Sequence, residues 1–308
     1  MKRTEQHGIM SSRIVIGHTN PDTDSIGSAI LLARLETEIG RKTEAKALGP
    51  ANEETKYVLK RFSVPMPEVI DSVGDAEVLI VDHTERAQAP SDLTPDQIVG
   101  IVDHHKLGDI QTTNPPSVII APLGSCATII AQLYDQHDVE MSDDLKGLAL
   151  SCILSDTVIL RSPTTTDEDR VVAESLAEEL DIDIVELGRA QFAAKADFSS
   201  KTPRDVLGID MKAYEMGGKK LAIAQVELAD TTMIMDAKND YLTAMRASCE
   251  SDGYDSYILI VTDIIAEGSY LLIAGLEDEV TNELGSGFID GLMSRKKQVV
   301  PPLEKRFA

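Results

Sequence analysis

The residue types that could do chemistry in this sequence are histidines and aspartates, and they gather in four places. In each place an apolar run ends and the polar residues follow, as in RIVIGHTNPDTD and EVLIVDH. The clustered residues are His18, Asp22, Asp24, Asp82, His83, Asp103, His104, His105 and Asp156. Carboxylates this close together repel one another, so chain packing alone does not explain the pattern.

Divalent metal ions would explain these clusters, because their charge neutralises the carboxylates. The donors are carboxylate oxygens and imidazole nitrogens without a thiolate, which indicates Mn²⁺, Mg²⁺ or Co²⁺ rather than a cysteine-bound structural zinc. One ion needs fewer ligands than the clusters offer, so two ions that share a carboxylate are the simpler interpretation. Paired metal ions are a recurring device for hydrolysing phosphorus–oxygen bonds.

Each cluster taken alone has a simpler explanation. A single aspartate after a strand often belongs to a turn, and Asp22 or Asp24 could cap the next helix, a role for which Asp24 is well placed. We expect His83 to have a structural role, or to contact a metal-binding residue without binding the metal itself. The occurrence of four clusters, each at the end of an apolar run, favours the metal site.

The segments around the clusters predict an α/β domain. Apolar runs predict strands at 13–17, 43–48, 77–82, 97–103 and 117–121. Helical periodicity predicts helices at 25–40, 52–62, 123–137, 144–156 and 166–180. Such alternation indicates a mostly parallel sheet with helices on both faces. Ligands bind at the carboxyl ends of the strands in these sheets, which is where the clusters stand.

The pattern changes near residue 190, so we predict two domains. QFAAKADFSSKTP is polar and irregular, hairpins are expected around Gly217–Gly218 and within 255–276, and 231–250 has helical character. This predicts a smaller α+β domain. The expected boundaries are a loose extension at 1–11, a catalytic domain at 12–190, a linker at 191–196 and a second domain at 197–308.

The composition excludes several classes of partner. With 29 Lys and Arg against 52 Asp and Glu, the formal net charge is −23, which opposes binding to nucleic acids and to anionic membranes. Three scattered cysteines form no disulfide or zinc pattern. The sequence has neither a secretory signal nor an apolar run long enough for a membrane span. We therefore expect a cytoplasmic protein.

The motifs NPDTDS, VDHTE, DHH and SDT, in this order, resemble those of the DHH phosphoesterase superfamily. More closely, the chain resembles the family II, manganese-dependent inorganic pyrophosphatases. SRKKQVVPPLEK at 294–305 is similar to the SRKKQ signature of that family's carboxy-terminal domain. The resemblance extends from about residue 13 to the end and implies a DHH fold followed by a DHHA2-like domain.

The resemblance implies a role for each matching residue. His18 and Asp22 would bind one metal, and Asp24, His104 and Asp156 the other, with Asp82 bridging. His105 would face the substrate. From the second domain, Arg295 and Lys296 would hold phosphate together with a lysine, for which Lys201 is our choice while Lys195 and Lys212 remain open.

The activity implied is hydrolysis of pyrophosphate to two phosphates by a metal-bridged hydroxide, at a dinuclear manganese site between the two domains. Two or more Mn²⁺ per subunit are implied, with Mg²⁺ or Co²⁺ as possible substitutes. The resemblance also implies a homodimer joined through the N-terminal domains.

Two alternatives differ from this interpretation. A sister enzyme, either an exopolyphosphatase or a phosphodiesterase, would share the metal site. The phosphodiesterase branch usually carries a GGGH-like motif, for which GSGF at 285–288 is a poor match. An exopolyphosphatase would be identified by the length of the phosphate chain that it prefers as substrate. A metal-binding protein without catalysis is disfavoured because the ligand set and the SRKK cations are both intact.

Overall fold

The structure, a computed structural model, describes residues 12–195 and 201–308. The chain divides into two compact units, Met1–Lys195 and Ala196–Ala308. The extension expected at 1–11 lies outside the described residues. Within the described ranges, no helix is both long and apolar enough to cross a membrane.

The first unit contains a six-stranded sheet in which every pair of neighbours is parallel. Its strands are β1 (Arg13–Ile16), β2 (Thr43–Ala47), β3 (Glu68–Val69), β4 (Glu77–Val81), β5 (Ile98–Asp103) and β6 (Ser117–Ile120). The strand order is β3-β2-β1-β4-β5-β6. The predicted parallel sheet is confirmed. The order reverses direction between β1 and β4, so their carboxyl ends flank the crevice in which such sheets bind ligands.

Within residues 12–195, six α-helices accompany this sheet. They are α1 (Thr23–Glu38), α2 (Glu53–Arg61), α3 (Cys126–Gln136), α4 (Asp143–Asp156), α5 (Asp167–Leu180) and α6 (Ile184–Lys195). Central strand residues such as Ile16 and Ile80 are fully buried, which explains why the strands read as continuous apolar runs. Helices α1 and α4 pack against each other. The first turn of α1 and the last residue of α4 each carry an aspartate of the site described below.

The second unit contains a mixed five-stranded sheet with the order β11-β10-β9-β8-β7. Its strands are β7 (Met211–Met216), β8 (Lys219–Leu228), β9 (Ser256–Asp263), β10 (Gly268–Ala274) and β11 (Phe288–Asp290), and its helices are α7 (Pro203–Leu207), α8 (Thr232–Asp236), α9 (Lys238–Asp252), α10 (Glu277–Leu284) and α11 (Val300–Phe307). Both predicted hairpins are present, since β7 with β8 and β9 with β10 are antiparallel pairs. The helix predicted at 231–250 is two helices that meet at Ala237.

The segment predicted as a linker is partly helical. Helix α6 continues to Lys195, so residues 191–195 are not irregular chain. Gln191 is fully buried, and its Nε2 donates to the backbone oxygen of Ser151 in α4 at 3.0 Å. Tertiary packing against α4 therefore extends the helix beyond the point at which the polar composition suggested an end.

Candidate metal centre

His18 and Asp22 are placed by the turn between β1 and α1. Asp22 caps α1 by accepting a hydrogen bond from the backbone nitrogen of Ser25 at 2.9 Å, so of the two aspartates that could cap this helix, Asp22 does so and Asp24 does not. The side chain of Ser25 accepts from the His18 backbone nitrogen at 2.9 Å. A side chain at Gly17 would lie 2.0 Å from that same Oγ atom. The close approach of this turn to α1 therefore requires glycine.

Asp24 is fully buried in the first turn of α1 and points at the beginning of α3. Its carboxylate accepts hydrogen bonds from the backbone nitrogens of Cys126 at 2.7 Å and Ala127 at 3.1 Å. The hydroxyl of Ser125 donates to it at 3.0 Å. The unpaired amides at a helix N-terminus favour a negative charge, so α3 fixes this carboxylate although it lies about a hundred residues away in the chain.

Asp82 lies at the centre of the cluster, directly after β4. Its Oδ2 is 3.4 Å from His18 Nε2, and its Oδ1 is 3.1 Å from His104 Nε2. The residue adopts a left-handed backbone conformation with φ of 64°, which aspartate and asparagine tolerate better than other residues with a side chain. Each carboxylate oxygen thus faces a different histidine.

His104 follows β5 and connects Asp82 to two further carboxylates. Its Nε2 is 3.4 Å from an oxygen of Asp156, the last residue of α4, and 3.9 Å from one of Asp24. Its Nδ1 is 3.0 Å from the backbone oxygen of Leu123. His18 repeats this arrangement, with Nδ1 at 2.9 Å from the backbone oxygen of Thr19. A carbonyl on Nδ1 leaves Nε2 as the nitrogen that can bind metal.

The structure brings the six predicted metal ligands into two groups that share one carboxylate. The first group is His18, Asp22 and Asp82, and the second is Asp24, Asp82, His104 and Asp156. Within each group the donor atoms all lie within 4.8 Å of one another. This is the division, and the shared residue, that the sequence resemblance implied. Ligation itself remains a prediction.

The electrostatics of the cluster also fit divalent cations. Burial, together with the charge of Asp82, raises the pKa of Asp24 to about 6, and burial beside the other carboxylates raises the pKa of Asp156 well above its usual range. Burial opposes the charged form of His104, but its contacts with Asp82 and Asp24 outweigh this and raise its pKa to about 9. Positive charge is therefore favoured here. The oxygen and imidazole donors suit Mn²⁺ or Mg²⁺.

His105 stands beside the cluster and is oriented by Asp103. Asp103 is fully buried at the end of β5. Its Oδ1 accepts from the backbone nitrogens of His104 at 2.8 Å and His105 at 3.1 Å, and lies 2.9 Å from His105 Nδ1. The Asp103 carboxylate raises the pKa of the half-exposed His105 ring.

The sequence places Asp103 among the clustered residues but assigns it no role, although it opens the DHH motif. His105 also forms a third candidate group with Asp82 and His104, but its Nδ1 is already engaged by Asp103. His83 is buried, with Nδ1 at 3.0 Å from the backbone oxygen of Val81, and belongs to none of the candidate groups of the described residues.

The cations expected to hold phosphate lie in the second unit. Arg295 begins a short π-helical turn (Arg295–Val299) and is only 7% exposed. One of its terminal nitrogens is 3.0 Å from a carboxylate oxygen of Asp210, and the other donates to the backbone oxygens of Asp210 and, at 3.2 Å, Ile223. Lys296 and Lys201 are exposed. Arg295 is therefore a paired cation and the lysines are surface cations.

Of the two alternatives for the third cation, Lys212 is exposed on β7, and the side chain of Lys195 lies outside the described residues. Neither position distinguishes these lysines from Lys201, so the choice among the three remains a prediction.

Comparison with known proteins identifies both units. Residues 12–153 match the DHH family, N-terminal domain, and residues 189–306 match the DHHA2 domain. The chain is 42% identical over 311 residues to the manganese-dependent inorganic pyrophosphatase of Methanocaldococcus jannaschii, covering 96% of this chain and 99% of that protein. It is 36% identical over 310 residues to the probable manganese-dependent inorganic pyrophosphatase of Lactobacillus gasseri, covering 97% and 99%.

A solved structure agrees with these matches. The crystal structure of a candidate family II inorganic pyrophosphatase from Methanococcus jannaschii aligns with a TM-score of 0.61 at 40% identity, and the alignment covers 96% of this chain and 99% of that one. Near-complete coverage at this level of identity extends the similarity to both domains. The chain therefore belongs to the manganese-dependent, family II inorganic pyrophosphatases, with a DHH domain followed by a DHHA2 domain.

Proposed function

We propose that this protein hydrolyses inorganic pyrophosphate to two phosphates, using two Mn²⁺ ions on the DHH domain. The observation that carries the proposal is the pair of donor groups that share Asp82. The names of the relatives, which are manganese-dependent inorganic pyrophosphatases, support both the substrate and the metal. Mg²⁺ or Co²⁺, which prefer similar donors, are possible substitutes.

Each ion would have its own set of ligands. His18 and Asp22 would hold one ion, Asp24, His104 and Asp156 the other, and Asp82 both. When bound, the two ions would supply an acidified water as nucleophile at neutral pH and stabilise the charge that develops on the phosphate oxygens. The metal-binding side chains are already oriented, since α3 fixes Asp24 and backbone carbonyls fix the rings of His18 and His104.

His105 is proposed to donate a proton or a hydrogen bond to an oxygen of the substrate. Asp103 accepts from the Nδ1 side of the ring, which leaves Nε2 on the half-exposed side free to face a ligand. The neighbouring carboxylate favours the protonated ring, and a protonated imidazole can stabilise the phosphate that leaves. This role needs no contact between His105 and a metal.

Lys296, Arg295 and Lys201 are proposed to bind the phosphate groups from the DHHA2 domain. Lysine acts as a compact point charge, whereas arginine can meet two oxygens with its planar fork. Because Arg295 is paired with Asp210, we propose that a bound phosphate either shares the Arg295 guanidinium with this carboxylate or displaces the carboxylate from it. The substrate would then join cations of one domain to metals of the other.

Replacing Lys296 by alanine is expected to weaken pyrophosphate binding without loss of metal. A hydrogen bond to a charged group contributes about 1.5–3 kcal/mol, so kcat/KM should fall about 10- to 100-fold. Lys297→Ala is the matched control, since Lys297 is exposed in the same turn and should have a much smaller effect. Steady-state kinetics and Mn²⁺ binding test this. Loss of Mn²⁺ in Lys296→Ala would contradict the division of labour between the domains.

The function itself is tested by the choice of substrate. Metal-stripped protein is supplied with Mn²⁺, and phosphate release is compared for pyrophosphate, tripolyphosphate and a dinucleotide. We expect turnover well above ~10 s⁻¹, a typical enzyme value, with pyrophosphate and little with the other two. Preference for the longer chain would instead indicate an exopolyphosphatase, and preference for the dinucleotide a phosphodiesterase.

We also propose that the protein is a cytoplasmic homodimer joined through its DHH domains. The exposed edge strand β6, on which Val118 is 49% exposed, offers a surface for such contact. Sedimentation velocity distinguishes the 33.4 kDa monomer from a dimer of twice that mass.

A further inference from the structure

Asp169, in the first turn of α5, is a fully buried carboxylate whose hydrogen bonds reach another helix. Three donors converge on its Oδ2, namely the backbone nitrogen of Gly124 at 2.7 Å and the nitrogen and hydroxyl of Thr166 at 2.8 and 2.7 Å. The hydroxyl of Thr128 donates to Oδ1 at 2.6 Å. The contacts with Thr166 are an ordinary capping box. The contacts with Gly124 and Thr128 are not needed to cap α5.

Gly124 and Thr128 lie on either side of the residues that bind Asp24. Ser125 caps α3, and its hydroxyl donates to Asp24 together with the backbone nitrogens of the next two residues. The residue before Gly124 provides the backbone oxygen that faces His104 Nδ1. The segment 123–128 therefore contacts two proposed metal ligands, and Asp169 holds this segment at Gly124 and at Thr128.

The packing behind this segment leaves no space for a side chain at position 124. A side chain at Gly124 would lie 2.7 Å from Oδ2 of Asp169 and 2.7 Å from Cγ2 of Thr157. Thr157 directly follows the proposed ligand Asp156. A methyl group at position 124 would therefore displace Asp169 or Thr157, so Asp169 and the start of α3 are closely packed beside a third proposed ligand.

We propose that Asp169 is a positioning residue of the metal centre, which holds the start of α3 against Asp24 and His104. The inference rests on the proposed metal site. Without the Asp169 carboxylate, the buried Gly124 amide and Thr128 hydroxyl lose their partner, and the segment must move to find others. Asp24 and His104 would then lose the fixed donors and acceptor that orient them.

Asp169→Ala is expected to weaken Mn²⁺ binding about 10-fold or more, the usual effect of removing a group that orients metal ligands. The dissociation constant is measured on the full chain from the electron paramagnetic resonance signal of free Mn²⁺, at a temperature below the melting transition of every variant. Asp169→Asn should retain most of the affinity, because its amide can place an oxygen toward Gly124 and its nitrogen toward the hydroxyl of Thr128.

Asp205→Ala is the matched control. Asp205 forms the same capping box with Thr202 at the start of α7, but it is exposed and belongs to the second unit. This variant should lose helix stability and keep wild-type Mn²⁺ affinity. A residue with a merely structural role would behave in the same way, lowering the melting temperature without changing the dissociation constant.

The outcomes separate this inference from the proposed function. Failure of the wild-type protein to bind Mn²⁺ would overturn the metal site itself. Wild-type affinity in a folded Asp169→Ala variant would overturn only the positioning role. Should that variant not fold, Thr128→Val, which removes a single donor and keeps the side-chain shape, decides the matter. We expect a several-fold weaker affinity in Thr128→Val, and an unchanged value would overturn the inference.

Discussion

The Asp82→Asn variant is expected to lose at least about 10³-fold in kcat for pyrophosphate and to hold fewer than two Mn²⁺ ions per chain. Asp82 is the one residue common to both donor groups, with one oxygen toward His18 and the other toward His104. An amide offers one oxygen and no charge, so it cannot serve two cations. Loss of metal-based stabilisation of several kcal/mol corresponds to a rate loss of this size.

The backbone at position 82 makes this substitution informative. Asparagine accepts the left-handed conformation that Asp82 adopts, so the variant should fold. Asp138→Asn is the matched control, because Asp138 has φ of 52° and is exposed in a turn away from the cluster. Metal counting and steady-state kinetics check both variants. Two bound Mn²⁺ and kcat within about tenfold of wild type in Asp82→Asn would contradict the shared carboxylate.

The His105→Asn variant is expected to lose about 10²–10⁴-fold in kcat, the range typical of removing a general acid, while its Mn²⁺ affinity stays near that of the wild type. Asparagine can replace Nδ1 in the contact with Asp103 but offers nothing at the position of Nε2. Nδ1 of the His105 ring faces Asp103. The substitution should therefore remove the contact with the substrate and leave Mn²⁺ binding unchanged.

His105→Gln is the companion variant, because its amide nitrogen can reach the position of Nε2 and donate a hydrogen bond without transferring a proton. We expect its kcat to lie between those of His105→Asn and the wild type. A tenfold or greater loss of Mn²⁺ affinity in both variants would show that His105 is a metal ligand. The third candidate group, formed by Asp82, His104 and His105, would allow this.

The sequence predicted those features of the first domain that depend on local pattern. Buried parallel strands read as apolar runs, and their carboxyl ends necessarily meet at one edge of the sheet. This is why His18, Asp82 and His104, which follow three adjacent strands, could be expected to lie together. The family resemblance then supplied the division into two ligand groups, which periodicity does not contain.

The features that the sequence did not predict depend on contacts between distant segments. Asp24, at the start of α1, is fixed by the start of α3, which no local pattern reveals. Arg295 is buried against Asp210, a partner 85 residues away, and the run of cations at 295–297 does not indicate this contact. Helix α6 continues through 191–195 because Gln191 packs against α4.

Short elements of the second domain were missed for a related reason. Helix α10 has 8 residues and strand β11 only 3, so tertiary packing decides their structure more than propensity does. The break between α8 and α9 at Ala237 has no sequence signal of the kind that glycine or proline would give.

We expect hydrolysis of pyrophosphate to require two Mn²⁺ ions that share the carboxylate of Asp82. The most direct test is to titrate Mn²⁺ into metal-free protein while following bound Mn²⁺ and phosphate release from pyrophosphate in the same samples. We expect two equivalents to bind tightly and activity to develop with the second, together with the paramagnetic signature of a coupled Mn²⁺ pair. Full activity with one equivalent, or two bound ions without pyrophosphate turnover, would contradict this expectation.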